Sequence, residues 1–170
     1  GVQTCALPIY KQMFLSLKAE ATQFRIEIPE SFNVDVENNF RKEYYSDYKY
    51  YLQIYDEAQL KSIIESLNFI VKNGQIYKFR PHPRFSNIKL LEELVDKSII
   101  EYPKDVPILE SIASTKHVIG SYTTVLNQAY YANIDVIFDD VTYKDTFDKL
   151  GDLNYIFAKE DTNKLSQYVK

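Results

Sequence analysis

The sequence predicts a Rossmann-like α/β domain, in which a parallel sheet carries helices on both faces. Short alternating or apolar runs, typical of strands, are separated by segments with an apolar residue every three or four positions, typical of helices. Strands and helices that alternate at short spacing indicate a parallel sheet covered on both sides. The composition agrees, because 45% hydrophobic and 26% charged residues are ordinary for a globular chain of 170 residues.

Each predicted element has a local reason. The strand candidates alternate between polar and apolar positions or are short apolar runs, and they are residues 24–28, 50–55, 75–80, 98–101, 117–120 and 134–138. The helix candidates repeat apolar residues along one side, and they are 10–20, 56–72, 87–96, 107–114, a helix after 121–124 that ends near 132, 143–150 and 161–169. Asp56 suits an N-cap, Gly74 ends the helix that begins there, and Pro107 suits a first turn.

The chain divides into three parts. Residues 1–9 do not blend with the residues after them and resemble a translated sequencing-adapter tail, so they are excluded from the fold. Residues 10–49 include a polar, irregular stretch, and we interpret them as the remnant of an N-terminal domain or linker. Residues 50–170 are the predicted Rossmann-like domain. We therefore expect the natural protein to begin further upstream, with this chain as its C-terminal portion.

Composition excludes several classes of function. A net charge of −4 gives no general attraction to nucleic acid, so an anion site has to be a local basic cluster. One cysteine and two distant histidines predict neither an intrachain disulfide nor a metal site. Four glycines cannot form a Gly-x-Gly-x-x-Gly or Walker loop. No apolar run approaches the roughly 20 residues that a membrane-spanning helix needs.

The first candidate site lies in segment 78–84, which reads Lys-Phe-Arg-Pro-His-Pro-Arg at the end of a predicted strand. Prolines on both sides restrict the backbone around His82. Ligands of an open α/β sheet bind at the carboxyl ends of its strands. A stiffly held imidazole near Lys78, Arg80 and Arg84 suits an anionic substrate that must receive a proton. The alternative is that Pro-His-Pro is only a stiff loop.

The second candidate site lies in segment 121–124, Ser-Tyr-Thr-Thr, where a predicted strand gives way to a helix. Free backbone N–H groups and the helix dipole make such a start an anion site, and hydroxyl groups add donors. Ordinary N-capping is the alternative and accounts for one hydroxyl. Between the two sites, Glu110 lies shortly after Pro107 and could accept hydrogen bonds from a ribose diol. Its alternative is a solvated helix residue.

The order of these motifs resembles bacterial sialyltransferases. The closest resemblance is to glycosyltransferase family 52, and the capsular polysialyltransferases have motifs of a similar kind. The matching motifs are, in order, His82-Pro83, Pro107-x-x-Glu110 and the Tyr-Thr-Thr that ends at Thr124. The likeness covers about residues 50–132. It implies a GT-B enzyme of two domains, of which this chain would hold the C-terminal, donor-binding domain.

The resemblance implies a role for each matched residue. His82 would be the general acid or the electrostatic partner of the departing CMP phosphate, and Asp56 or Glu57 would be the general base. The run 53–58 around these two acids lacks the glycine often seen there. Thr123 stands where serine is more usual. The residues expected to contact the donor are Arg80, Pro83, Arg84, Glu110, Ser121, Thr123 and Thr124, with the two threonines on the phosphate, Ser121 as a helper and Glu110 on the ribose.

The implied activity is the inverting, metal-independent transfer of sialic acid from CMP-sialic acid to lipooligosaccharide or capsular polysaccharide. The partners would be this nucleotide-sugar donor and a glycan acceptor, with no nucleic acid and no cofactor besides the donor. A cytoplasmic location is implied, with peripheral association at the inner face of the bacterial membrane left open. A donor domain alone is expected to be inactive. Two alternatives stand beside this interpretation: a GT-B transferase with another nucleotide-activated donor, and a non-catalytic α/β interaction domain.

Overall fold

The computed structural model describes residues 33–142 and 162–169 of the chain. Three predicted elements, 10–20, 24–28 and 143–150, lie outside the described residues. The described residues form a five-stranded sheet with the order β2-β1-β3-β4-β5, in which every neighbouring pair is parallel. The strands are β1 Ser46–Tyr51, β2 Tyr77–Arg80, β3 Thr115–Gly120, β4 Asp135–Phe138 and β5 Asn163–Lys164. The predicted Rossmann-like α/β fold is confirmed.

Helices follow the strands as the sequence predicts for most of the chain. The α-helices are α1 Val36–Asn39, α2 Glu57–Ile70, α3 Ile88–Leu94, α4 Ile108–Ala113 and α5 Thr124–Tyr131. Short 3₁₀ helices are Lys42–Tyr44, Lys97–Ile99 and Leu165–Gln167. No helix among residues 33–142 and 162–169 is long and apolar enough to cross a membrane.

The helices cover the two faces of the sheet separately. Side chains alternate between faces along a strand, so the adjacent Tyr50 and Tyr51 enter different hydrophobic clusters. One cluster joins Tyr50 to the buried sides of α2 and α3, and the other joins Tyr51 to those of α4 and α5. The sheet is therefore a middle layer between two helical layers, as expected for parallel strands.

Helix α2 begins and ends where the sequence predicts, for local reasons. The Asp56 carboxylate accepts a hydrogen bond from the Gln59 backbone N–H, and the Gln59 side chain accepts one from the Asp56 N–H. This reciprocal capping box satisfies two N–H groups that a helix start leaves unpaired. Leu60, Ile63 and the other apolar residues at this spacing lie on one side of the helix and are buried in the core. Gly74, with φ of 87°, provides the left-handed turn before β2.

Two predicted elements are wrong in type. The strand predicted at 98–101 is the 3₁₀ helix Lys97–Ile99, capped by Asp96, and then a single parallel bridge between Ile100 and Phe79. The helix predicted at 161–169 is, in its described part, β5 and a 3₁₀ turn. Backbone pairing with β4 stabilises an extended segment there, although the spacing of apolar residues is typical of a helix. Leu165, the residue after β5, is buried in the core.

The segment predicted as a polar connection contributes to the sheet and core. Strand β1 begins at Ser46, and Val34 is buried in the cluster beneath α4 and α5. The sequence pattern places the start of this strand at residue 50, four residues too late, because a lysine, Lys49, occupies a position that faces the interior. Its side chain is fully buried, although lysine is ordinarily a surface residue.

The direction of the chain across the sheet reverses at β1. From β1 the chain goes to β2 on one side, and β3, β4 and β5 then lie on the other side. In open α/β sheets, ligands bind in the crevice at the carboxyl ends of the strands where this reversal occurs. The fold thus places the expected crevice between the ends of β1 and β3.

Candidate functional site

The carboxyl-terminal edge of the sheet brings the two predicted motifs to one side of the molecule. The pairing register places Arg80, Tyr51, Gly120 and Phe138, which end the first four strands, in one row across the sheet. The next residues of all four chain segments therefore emerge at the same height. His82 comes after β2 and the 121–124 segment comes after β3, with the end of β1 between them.

The turn after β2, residues 81–86, is held by hydrogen bonds. The His82 N–H donates to Oγ of Ser86 at 2.8 Å, and that hydroxyl donates to the Gln53 carbonyl at 2.9 Å. The Arg84 N–H donates to Nδ1 of His82 at 3.1 Å. Phe85 stacks on the imidazole, with ring centroids 4.5 Å apart. The loops after β1 and β2 are therefore joined next to His82.

His82 is half-buried, while Pro83 and Arg84 are exposed. Partial burial, and then the positive charge of Arg84, lower the pKa of His82 below its ordinary value. Both effects favour the neutral form of the ring. It can donate one hydrogen bond in this state, and Arg84 supplies a positive charge beside it.

The helix start after β3 offers one surface hydroxyl rather than three. Ser121 and Thr123 are buried, whereas Thr124 is exposed. The Thr123 hydroxyl caps α5 by accepting a hydrogen bond from the Val125 N–H at 3.3 Å. Its methyl group packs on the strand end, since a Cβ on Gly120 would lie 3.0 Å from it. Thr124 is therefore the hydroxyl that a ligand at this edge can reach.

Arg80 departs from the prediction, because its guanidinium is used inside the protein. Nη1 lies 2.7 Å from Oε1 of Glu101, and Nη2 donates to the Val106 carbonyl at 2.8 Å. Only 6% of the residue is exposed. Arg80 therefore anchors the end of β2, and its guanidinium is bound within the protein.

Arg80 belongs to a buried polar cluster that the sequence analysis missed, which we call the Glu101 cluster. Its members are Lys49, Tyr51, Arg80, Glu101 and Ser111. The Lys49 ammonium lies 2.6 Å from Oε2 of Glu101 and donates to the carbonyl of Ser111 at 3.0 Å. The Ser111 hydroxyl bonds to Glu101 and lies 2.9 Å from the hydroxyl of Tyr51. One carboxylate therefore holds two cations under α4.

Burial controls the ionisation of this cluster. Burial lowers the pKa of Lys49 to about 8, and the attraction of Glu101 offsets only part of that effect. For Glu101, burial alone would raise the pKa, but the charge of Lys49 and hydrogen bonds from Lys49, Ser111 and Arg80 lower it below its ordinary value. The carboxylate is thus ionised at neutral pH. The lone sequence signal for the cluster is a lysine at an inward strand position.

Glu110 also departs from the prediction. Its carboxylate lies 3.6 Å from the guanidinium of Arg41. The Arg41 N–H donates to the hydroxyl of Ser114, whose carbonyl accepts from Ser46, the first residue of β1. Glu110 therefore pairs toward the amino-terminal edge of the sheet and is not brought together with His82 and Thr124.

Asp56 and Glu57 lie at the correct edge, just after β1, but both have local partners. Asp56 caps α2, and Glu57 pairs with Lys61 one turn later at 2.6 Å. The Glu57–Lys61 pair is exposed, so it contributes little to stability. Both carboxylates therefore lie at the edge where the base was predicted, and each is bound to a neighbour within its own helix.

Replacing Asp56 with alanine tests whether the residue is more than a cap. We expect the free energy of unfolding to fall by about 1 kcal/mol, the usual cost of losing an N-cap. Urea denaturation measures this quantity. Asp56→Asn is the matched control, because asparagine caps equally well without the charge. A loss of transfer activity in the asparagine variant, with stability intact, would identify Asp56 as the base.

Comparisons with protein-family models, with curated proteins and with solved structures found no match to this chain. Among residues 33–142 and 162–169, no group of three or more histidine, cysteine or acidic side chains could hold a metal ion. At the carboxyl-terminal edge of the sheet, His82, Arg84 and Thr124 are the polar residues of the two predicted motifs that a ligand can reach.

Proposed function

We propose that the protein is a sialyltransferase-like glycosyltransferase. In this proposal the carboxyl-terminal edge of the sheet binds the nucleotide of an activated sugar, and the favoured donor is CMP-sialic acid. The observation that supports the proposal is the common row of strand ends, from which the His82 turn and the start of α5 both emerge. They flank the end of β1, beside the crevice where such sheets bind ligands.

The residues of this edge suit a leaving phosphate. Transfer breaks the bond between the anomeric carbon and a phosphate oxygen while the acceptor oxygen attacks the carbon, so negative charge accumulates on the phosphate. Hydrogen-bond donors aimed at that charge stabilise the transition state. The N–H groups and dipole of α5, the Thr124 hydroxyl and the His82 ring supply donors, and Arg84 supplies positive charge. A carboxylate base would remove the acceptor proton.

Nucleotide binding is the first test of this proposal. We expect CMP to raise the melting temperature of the chain more than UDP or CDP does, since a ligand that binds only the folded state stabilises it. Stronger stabilisation by UDP or CDP would instead favour a transferase with another activated donor. Stabilisation by none of the three would favour the non-catalytic interaction domain.

The substitution Thr124→Ala tests the phosphate site at α5. Loss of a hydrogen bond to a charged group should weaken CMP binding by about tenfold or more, as measured by calorimetry. Glu110→Ala is the matched control, and we expect it to leave CMP affinity unchanged because Glu110 faces Arg41. Weaker binding in the Glu110 variant alone would place the ligand on the other side of α4.

A further inference from the structure

The turn that carries His82 is closed by the side chain of Ser86. The Ser86 hydroxyl accepts the His82 N–H at 2.8 Å and donates its own proton to the Gln53 carbonyl at 2.9 Å. A hydroxyl has one proton to donate, so these two bonds fix its rotation. The Ser86 N–H adds a bond to the His82 carbonyl at 3.3 Å. One side chain therefore connects the backbone of His82 to the loop after β1.

The imidazole ring itself is held by two residues that come just after it. Phe85 stacks on one face, with the ring planes 23° apart. The Arg84 N–H donates to Nδ1 at 3.1 Å. A backbone N–H can only donate, so Nδ1 has to accept and carries no proton. In a neutral imidazole the proton then resides on Nε2.

We propose that Phe85 and Ser86 are positioning residues that hold His82 in the tautomer with its proton on Nε2, so that His82 serves its ligand as a neutral hydrogen-bond donor and not as a proton-transferring acid. The donor role rests on the proposed function, whereas the tautomer does not. In this role the N–H of Nε2 points to an oxygen of the anion, and no bond to hydrogen breaks. A second proton on Nδ1 would place two donors, that proton and the Arg84 N–H, against each other.

Nitrogen NMR of the whole chain tests the tautomer directly. The chain has two histidines, and a His117→Gln variant assigns their signals. We expect His82 at pH 7 to show a protonated Nε2 and an unprotonated Nδ1. A protonated Nδ1, in either the neutral or the charged ring, would overturn the proposal.

Variants of the two supporting residues test the positioning role. Ser86→Ala and Phe85→Leu should mix the two His82 tautomers, because the first frees the backbone of the turn and the second removes the stacked ring. Ser86→Thr and Phe85→Tyr keep the hydroxyl and the ring, and should restore the single tautomer. Amide spectra establish that each variant is folded. An unchanged tautomer in folded Ser86→Ala and Phe85→Leu would overturn the positioning role.

Calorimetry with CMP separates the donor role from proton transfer. Glutamine places an amide N–H near the position of Nε2 but cannot act as an acid. We expect His82→Gln to keep CMP affinity within about threefold of the native chain and His82→Ala to lose about tenfold or more. Equal losses in both variants would overturn the donor role. If CMP does not bind the native chain, the proposed function fails, while the nitrogen spectrum still decides the tautomer.

Discussion

Replacing Glu101 with glutamine is expected to lower the free energy of unfolding by about 3–5 kcal/mol, the usual cost of removing one partner of a buried ion pair. The Glu101 carboxylate lies 2.6 Å from the Lys49 ammonium and 2.7 Å from the Arg80 guanidinium, and all three groups are buried. Glutamine has nearly the same shape, but it removes the charge and turns an amide donor toward one of two cations. Urea denaturation monitored by circular dichroism measures the loss.

Two further substitutions show whether the charge or the shape is responsible. Glu57→Gln makes the same change in the exposed pair with Lys61 and should cost no more than about 0.5 kcal/mol. Lys49→Met should cost less than Glu101→Gln, because Arg80 and Glu101 remain as a pair of balanced charge. A loss below about 1 kcal/mol in Glu101→Gln would contradict a buried, ionised cluster.

Under the proposed function, replacing His82 with alanine is expected to reduce the transfer of sialic acid by about 100- to 1,000-fold, the usual effect of removing one hydrogen-bond donor to the charge that develops in the transition state. The side chain lies on a turn at the sheet edge and is only half-buried, so the denaturation midpoint should change little. The rate of transfer from CMP-sialic acid to a glycan acceptor measures this effect.

His117→Ala is the matched control for this result. His117 lies in the first half of β3, where its ring stacks on Tyr48 and Nδ1 lies 3.4 Å from a carboxylate oxygen of Asp135. It is therefore well below the row of strand ends, and its loss should leave turnover within a few-fold of the native value. Near-normal activity in His82→Ala would remove His82 from the chemistry.

Local sequence signals predicted most of the fold. Asp56 and Asn87 cap helices where the pattern begins, and each accepts the expected hydrogen bond from a backbone N–H three residues later. These signals are reliable because an N-cap depends on neighbours within one turn. The predicted strand at 98–101 failed for the complementary reason, since Ile100 forms a single bridge, with Phe79, in the part of the chain that the structure describes.

The candidate site was predictable only in part. The placement of His82 and Thr124 at the edge results from the order of strands and helices, because parallel strands all end on the same side. The roles of Arg80 and Glu110 depended on partners distant in sequence. Arg80 is bound by Glu101, and Glu110 pairs with Arg41, so neither is available where the motif alone would put it.

The sequence by itself determined the α/β class, the helix starts and the position of the His-Pro turn at a strand end, because these depend on residue spacing and on interactions between close neighbours. Only the tertiary structure decided which charged side chains face a ligand and which neutralise one another in the interior. Burying two cations side by side is costly unless a carboxylate lies between them. The bridge between Ile100 and Phe79 brings the Glu101 carboxylate to Lys49 and Arg80, through contacts that residue spacing does not reveal.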